Sequence, residues 1–240
     1  MQTPTFLSAE WRHLVMLNFT VDHAVLEPLV PPGTELDYFR GQAFVSLVGF
    51  LFLRTRVFGI SFPFHRSFEE VNLRFYVRRK SEEGWRRGVV FVRELVPRRT
   101  IAFFARTFYG EPYSAFPMRH SVDLSASSIR VEYAWCRESR WETLYAIGMG
   151  QPQEISDGSE EEFIAEHYWG YTGRKTGTSE YQVEHSRWRI WQSVDAGFEA
   201  DVSTLYGSRF VEGLSAPPVS AFIADGSPVT VRFSATLARG

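Results

Sequence analysis

With 240 residues, of which 44% are apolar and 16% aromatic, the chain can fill a sizeable core, and its charged fraction of 22% argues against disorder. A formal charge of −2 removes the global basic field that would draw it to nucleic acid or an anionic membrane, and a single cysteine, Cys136, excludes an internal disulfide framework. The 26 basic residues include only Lys80 and Lys175 as lysines, so a mechanism that needs an amine nucleophile has two side chains and the N-terminus to draw on.

In chain order, Trp11 to Val21 is apolar and aromatic and reads as a first strand. Asp22 offers an N-cap for a short helical turn, His23 to Val30, ended by Pro31-Pro32-Gly33. Glu35 to Phe39 and Ala43 to Leu53 read as a hairpin around Arg40-Gly41, the second strand buried on both faces. That apolar run is about half the roughly 20 residues a membrane-spanning helix needs. The next segment alternates, with Val71, Leu73, Phe75 and Val77 on one side and Asn72, Arg74, Tyr76 and Arg78 on the other. It predicts a strand over 71–79, followed through short turns by antiparallel strands over 85–95 and 100–108. Ser128 to Arg137 alternates again, and Glu142 to Ile147 extends the sheet. Ser159-Glu160-Glu161-Glu162 fits a capping box that opens a helix to about Trp169. Gly170 to Ser179 reads as turn-rich, Tyr181 to His185 and Arg187 to Val194 as a strand pair, and Val219 to Ala224 and Pro228 to Leu237 as two closing strands around Asp225-Gly226. Strands following strands, with few helices, predict one antiparallel β domain over 1–240, a barrel or closed sandwich. The N-terminus shows no basic stretch followed by an apolar run, so a cytoplasmic protein is expected.

Several stretches resemble the YqjF-like family of bacterial proteins within the acetoacetate decarboxylase-like superfamily. They are Asn18-Phe19 with Val21-Asp22, the turn Pro31 to Asp37, and Phe68-Glu69-Glu70-Val71-Asn72-Leu73-Arg74-Phe75-Tyr76-Val77. Tyr109-Gly110-Glu111-Pro112-Tyr113, Glu166-His167-Tyr168-Trp169-Gly170-Tyr171, Glu180-Tyr181 and Val183-Glu184-His185 with Trp188 add to the match. The resemblance implies a mainly β fold, an acetoacetate decarboxylase-like antiparallel β-barrel with few peripheral helices around a small-molecule pocket. The founding decarboxylases use a Schiff-base lysine beside a second lysine that lowers its pKa. That pair follows a Gly-x-Pro turn, whereas here Gly110-Glu111-Pro112 is followed by Tyr113-Ser114. Any enzymatic activity is therefore expected to avoid a Schiff base. Glu69 or Glu70 resembles the family's pocket acid.

The polar row of the 71–79 strand either lines the barrel or faces water with cross-strand ion pairs. The resemblance favours the lumen for Glu70, Asn72 and Arg74. Arg74 would then clamp a carboxylate, Glu70 would act as acid or base, and Asn72 and Tyr76 would complete the binding face. Arg106, Tyr109, Glu111 and Tyr113 form a second cluster where the relatives carry lysines, with Tyr113 a neutral donor in place of the amine. Glu166-His167 and Glu184-His185 lack metal-ligand spacing, because adjacent residues diverge, so neither a metal nor a cofactor is expected. A buried histidine bonded to a carboxylate and fixing the helix to the sheet is the better reading there. The basic residues Arg78, Arg79, Lys80, Arg86 and Arg87 beside Glu82 and Glu83 read as a solvated hairpin. The function expected is binding of an organic acid or compact apolar ligand, with or without acid–base lyase chemistry; the rival is a non-catalytic binding or interaction protein. No nucleic-acid or membrane partner is expected, and a homodimer or larger assembly is expected only from the general frequency of symmetric oligomers.

Overall fold

The computed structural model describes residues 4–61, 66–98, 112–175, 177–233 and 235–237. β1 (Thr5–Val21) is 17 residues long and runs antiparallel to β3 (Ala43–Val57), which pairs with β4 (Phe68–Ser81), which pairs with β5 (Gly84–Val96). Between β1 and β3, Asp22 caps α1 (His23–Leu26) by accepting from the Ala24 N–H at 2.9 Å. β2 (Glu35–Leu36) pairs with β4 at Arg78 and Val77, not with β3. The hairpin expected from Glu35 to Leu53 is therefore reduced to the single bridge Phe39–Gln42, because β4 outruns β3 and leaves its edge open to β2.

The chain then lays down β6 (Tyr113–Ala115), parallel to the end of β5, and an antiparallel run of β7 (Met118–Leu124), β8 (Ser128–Arg137) and β9 (Arg140–Met149). The segment 100–108, expected to be a strand, lies outside the described residues. After β10 (Gln153–Glu154) comes α2 (Glu160–Ala165), whose cap is the expected Ser159, accepting from the Glu162 N–H at 3.1 Å. The helix stops at Ala165 instead of Trp169, because Trp169 already opens β11 (Trp169–Arg174). The stretch expected to be turn-rich is a hairpin of β11 with β12 (Gly177–His185). Gly170 reads as a turn residue but serves a close approach: a Cβ there would meet the Tyr181 ring at 2.1 Å.

β13 (Arg189–Glu199) pairs with β9 and β14 rather than with β12. α3 (Val202–Tyr206) and α4 (Val211–Ser215) precede β14 (Ser220–Arg232), and β15 (Ala235–Leu237) pairs with β12. β14 is continuous where two strands were expected, and it changes partner along its length. Residues 222–224 pair with β13 and residues 229–231 with β12, while β1 runs along the whole of its other edge. At the change, Gly226 has φ +81° and a Cβ would meet the Trp11 carbonyl oxygen at 2.0 Å, so only glycine fits.

These pairings close a ring, β1-β3-β4-β5-β11-β12-β14 and back to β1, antiparallel except at β5–β11. Strands β13, β9, β8 and β7 continue from β14 as a second sheet. Opposed residues in a ladder share a face, so register carries one face around the ring: Glu70 to Phe50, Phe52 to Trp11, Ala9 to Val229, His185, and on the other side Tyr76 to Val89, Gly170 and Tyr181. This is the inner face. The outer face of β1, β3, β4 and β5 packs under the second sheet, where Val71, Leu73, Phe75 and Val77 join Ile129, Val131, Tyr133 and Trp135 in one buried cluster. Among the described residues, no helix is long and apolar enough to cross a membrane.

Candidate functional site

The inner face of β4 carries Glu70, Asn72, Arg74 and Tyr76, and the structure buries rather than solvates it: Glu70 is 3% exposed and Asn72 2%. Glu70 is dressed on both carboxylate oxygens. Asn72 Nδ2 donates to Oε1 at 3.1 Å and the Tyr113 hydroxyl donates to Oε2 at 3.2 Å. Tyr113 reaches this point because β6 runs parallel to β5, placing it against Glu94, which in turn lies opposite Asn72. Glu94 is 1% exposed, so a second buried glutamate shares this face beside Asn72. Sequence reading missed Glu94. The available signal was a lone acid, beside Arg93, in the apolar strand Val89 to Val96.

Arg74 stands roughly 13 Å along the strand from Glu70, four residues at about 3.3 Å each. Its guanidinium donates to the Ile164 carbonyl at 3.1 Å, an end-of-helix acceptor of α2, and lies 5.6 Å from the Tyr76 ring centroid. Among the described residues no carboxylate lies within 4.0 Å of Arg74, and its Nε is buried without a hydrogen-bond partner. The other arginines of the basic hairpin contrast with it. Arg79 and Arg86 both hold buried Glu180 at 2.7 Å, Arg87 holds Asp37 at 2.6 Å and Arg78 holds Glu35 at 2.7 Å. The hairpin expected to be a solvated tip is thus tied into the ring, and only Lys80 of its five basic residues is exposed.

Tyr76 is structural at its hydroxyl. Ser46 gives its one proton to Asn18 Oδ1 at 2.7 Å, so Tyr76 donates to Ser46 at 2.6 Å. Asn18 passes the chain on to Ser220 at 2.9 Å, and Ser220 donates to Glu160. This network links β4, β3, β1, β14 and α2 across the inner face. The Tyr76 ring packs on His167 at a centroid distance of 4.7 Å.

His167 is the buried histidine expected beside a carboxylate, but its partner is Asp37, at 3.3 Å, a residue that also accepts from Arg87. Burial pushes His167 down to about 4, and the Asp37 hydrogen bond opposes this without reversing it. The ring is therefore neutral near pH 7. Burial works to raise Asp37, but the hydrogen bonds from His167 and Arg87 outweigh it and hold the carboxyl below its ordinary range. With Nε2–H given to Asp37, the buried Nδ1 has no hydrogen-bond partner among the described residues. Glu166 and His167 follow α2 in the link to β11 instead of lying on a helix. Glu166 accepts from the Tyr168 hydroxyl and leaves Oε1 buried without a partner among the described residues. Glu184, of the second such pair, is taken by Arg232 at 2.8 Å.

An aromatic wall completes the inner face. His185 stacks on Trp188 at 4.2 Å, with Tyr168 at 4.8 Å and Trp11 at 6.4 Å, and Trp11 meets Phe50 edge-on at 5.2 Å. Burial lowers the His185 pKa; the nearby Arg74 charge adds to this, while the Ser186 carbonyl and Glu166 oppose it. Arg74, Glu166 and the wall therefore belong to one neighbourhood. Trp11 and Glu166 were not singled out from sequence as ligand contacts. Arg106, Tyr109 and Glu111 lie outside the described residues. Among the described residues no three of His, Cys, Asp and Glu are placed to hold a metal ion.

Residues 8–228 match the sequence family DUF2071, described as "Uncharacterized conserved protein". The chain is 28% identical over 200 residues to "Uncharacterized protein YqjF" of Bacillus subtilis (strain 168), covering 81% of this chain and 78% of that one. Among solved structures it is similar to the enduracididine biosynthesis enzyme MppR complexed with the condensation product of pyruvate and imidazole 4-carboxaldehyde. The TM-score is 0.69 at 13% identity, over 100% of this chain and 91% of that one. It is also similar to acetoacetate decarboxylase from Legionella pneumophila, with a TM-score of 0.66 at 14% identity over 99% and 90% of the two chains. At such identities these likenesses establish the fold: mainly β and acetoacetate decarboxylase-like.

Proposed function

The chain belongs to this family of uncharacterized conserved proteins, and from that premise we propose that its inner face binds a small organic acid, with Arg74 holding the carboxylate. The observation that carries this reading is the state of Arg74. It is a part-buried guanidinium with no carboxylate within 4.0 Å among the described residues, whereas Arg78, Arg79, Arg86 and Arg87 of the same β4–β5 hairpin are each paired with one. A planar fork matches a carboxylate with two parallel hydrogen bonds, and a buried cation without a counter-charge is costly. The buried Trp11 Nε1, Asn72 Oδ1 and Glu166 Oε1, each without a partner among the described residues, add one donor and two acceptors on the same face. The solved relative whose complex contains a pyruvate-derived product is consistent with an acidic ligand in this fold.

Glu70 and Tyr113, about 13 Å along the strand from Arg74, would address the other end of the same molecule. If chemistry occurs, Glu70 takes or returns a proton there, and Tyr113, whose one hydroxyl proton goes to Glu70 at 3.2 Å, holds that carboxylate in place. A Schiff base forms no part of the reading: Lys80 lies at the exposed end of β4 and Lys175 in an exposed turn. One observation favours a second, non-catalytic reading. Asn72 and Tyr113 donate to both oxygens of Glu70, which ties the carboxylate into the strands around it rather than aiming it at a ligand.

Pyruvate and acetoacetate are the probes that test this, by titration calorimetry and by NMR observation of hydrogen–deuterium exchange at the carbon next to the ketone. Arg74→Lys is expected to weaken binding by about tenfold through loss of the fork. Glu70→Gln is expected to keep binding and abolish any exchange. Binding without exchange in the wild type selects the non-catalytic reading. If neither acid binds at millimolar concentration, or Arg74→Gln binds as well as wild type, the carboxylate reading is wrong.

A further inference from the structure

We propose that the edge of β7 that no other described strand joins pairs with β7 of a second copy of this chain, antiparallel and centred on Ser121, making a two-fold dimer. β7 ends the strand order: it pairs with β8, and no other described strand joins it. Five of its seven residues are exposed, namely Arg119, His120, Ser121, Asp123 and Leu124, the last at 59%. An edge of this kind presents unpaired backbone donors and acceptors.

Which groups it presents follows from one bond. The Cys136 N–H donates to the Pro117 carbonyl at 2.8 Å, so the alternation of an antiparallel ladder turns residues 119, 121 and 123 toward β8. The peptide groups of Met118, His120, Val122 and Leu124 then face the edge away from β8. In a symmetric pairing centred on Ser121, His120 exchanges hydrogen bonds with Val122 of the copy, and Met118 with Leu124. Arg119 and Asp123 fall in the non-hydrogen-bonded positions, where opposed side chains come closest.

The side chains fit that register. Arg119 faces Asp123 of the copy and Asp123 faces its Arg119, so both charge pairs are attractive. Neither residue has an ion pair within 4.0 Å among the described residues, and Arg119 rests on the Trp141 ring at 4.1 Å, on the exposed side of the sheet. Exposed Leu124 would be covered by Met118 of the copy. A strand that meets itself needs opposite charges at equal distances from its centre, and Arg119 and Asp123 each stand two residues from Ser121. Pairing edge to edge would join two second sheets into one continuous sheet and leave both inner faces untouched.

Sedimentation velocity of the full chain over a range of concentrations tests the proposal, with circular dichroism to confirm that each variant is folded. The wild type is expected to show a monomer–dimer equilibrium. Arg119→Glu and Asp123→Arg, each turning two attractive pairs into two repulsive ones, are expected to weaken the dimer by about tenfold or more. An equimolar mixture of the two variants is expected to associate as the wild type does, since Glu at 119 then meets Arg at 123 and Asp123 meets Arg119. The double variant is expected to regain its own dimer. A wild type that stays monomeric at the highest concentration, single variants that dimerise unchanged, or a mixture that fails to associate would each overturn it.

Discussion

The two rows of β4 occupy one strand with one alternation, and both are buried, yet they are stabilised in different ways. On the outer side Val71, Leu73, Phe75 and Val77 are 0% exposed and meet an apolar second sheet. Nothing there asks for a partner. On the inner side Glu70, Asn72, Arg74 and Tyr76 bring charges and hydroxyls into a face otherwise made of Phe44, Phe50, Phe52, Trp188 and Phe222. Polar groups so placed are satisfied in part by one another, while Asn72 Oδ1 and Arg74 Nε have no hydrogen-bond partner among the described residues. The outer row is spent on holding the layers together, and the inner row forgoes that apolar packing, as the proposed ligand site would require.

That contrast breaks most sharply at Phe75. Phe75→Ala removes a fully buried ring between the layers and is expected to cost about 3–5 kcal/mol of unfolding free energy, measured by urea denaturation. A loss below about 1 kcal/mol would mean that the layers are not held as described. The inner side is expected to register pH instead. His167 is neutral in the folded chain down to about pH 4, but titrates near 6.5 once unfolded. The unfolded chain then binds more protons between these values, so stability is full above pH 6.5 and falls as pH drops toward 4, by up to about 3 kcal/mol. His167→Gln should flatten that window in pH-dependent urea curves, and an unchanged slope would place its origin elsewhere. The smallest effect is expected at Arg74. Arg74→Gln removes a cation with no carboxylate within 4.0 Å among the described residues, so stability should hold or rise by up to about 1 kcal/mol. A loss of 2 kcal/mol or more would mark Arg74 as a structural residue and equate the two faces after all.

The strand itself was legible: alternation at 71–79 and short turns gave β4 and β5, and the capping residues Asp22 and Ser159 act as read. Local patterning could not show what lies on each side of a strand. Whether Glu70 faced water or the ring depended on pairings of β1 with β14 and β5 with β11, which are set by residues far apart in sequence. The same limit hid Glu94, whose role comes from a parallel partner, β6, of three residues. Gly170 and Gly177 read as punctuation because glycine usually is, yet both lie within the β11–β12 hairpin. Asp37 was quoted only as the end of a turn, and its contact with His167 spans 130 residues.

The seam between β1 and β14 also has a consequence in time. Arg12 and Gly226, in contact there, are 214 residues apart. At about 5–20 residues per second on the ribosome, the strand that covers that edge of β1 arrives roughly 10–40 s after β1 itself. For that interval a 17-residue strand rich in apolar side chains waits with one side unpaired, longer than most elementary folding events require. Faster elongation shortens that wait and slower elongation lengthens it, so the open side of β1 is where pairing with another chain competes with the arrival of the last strand.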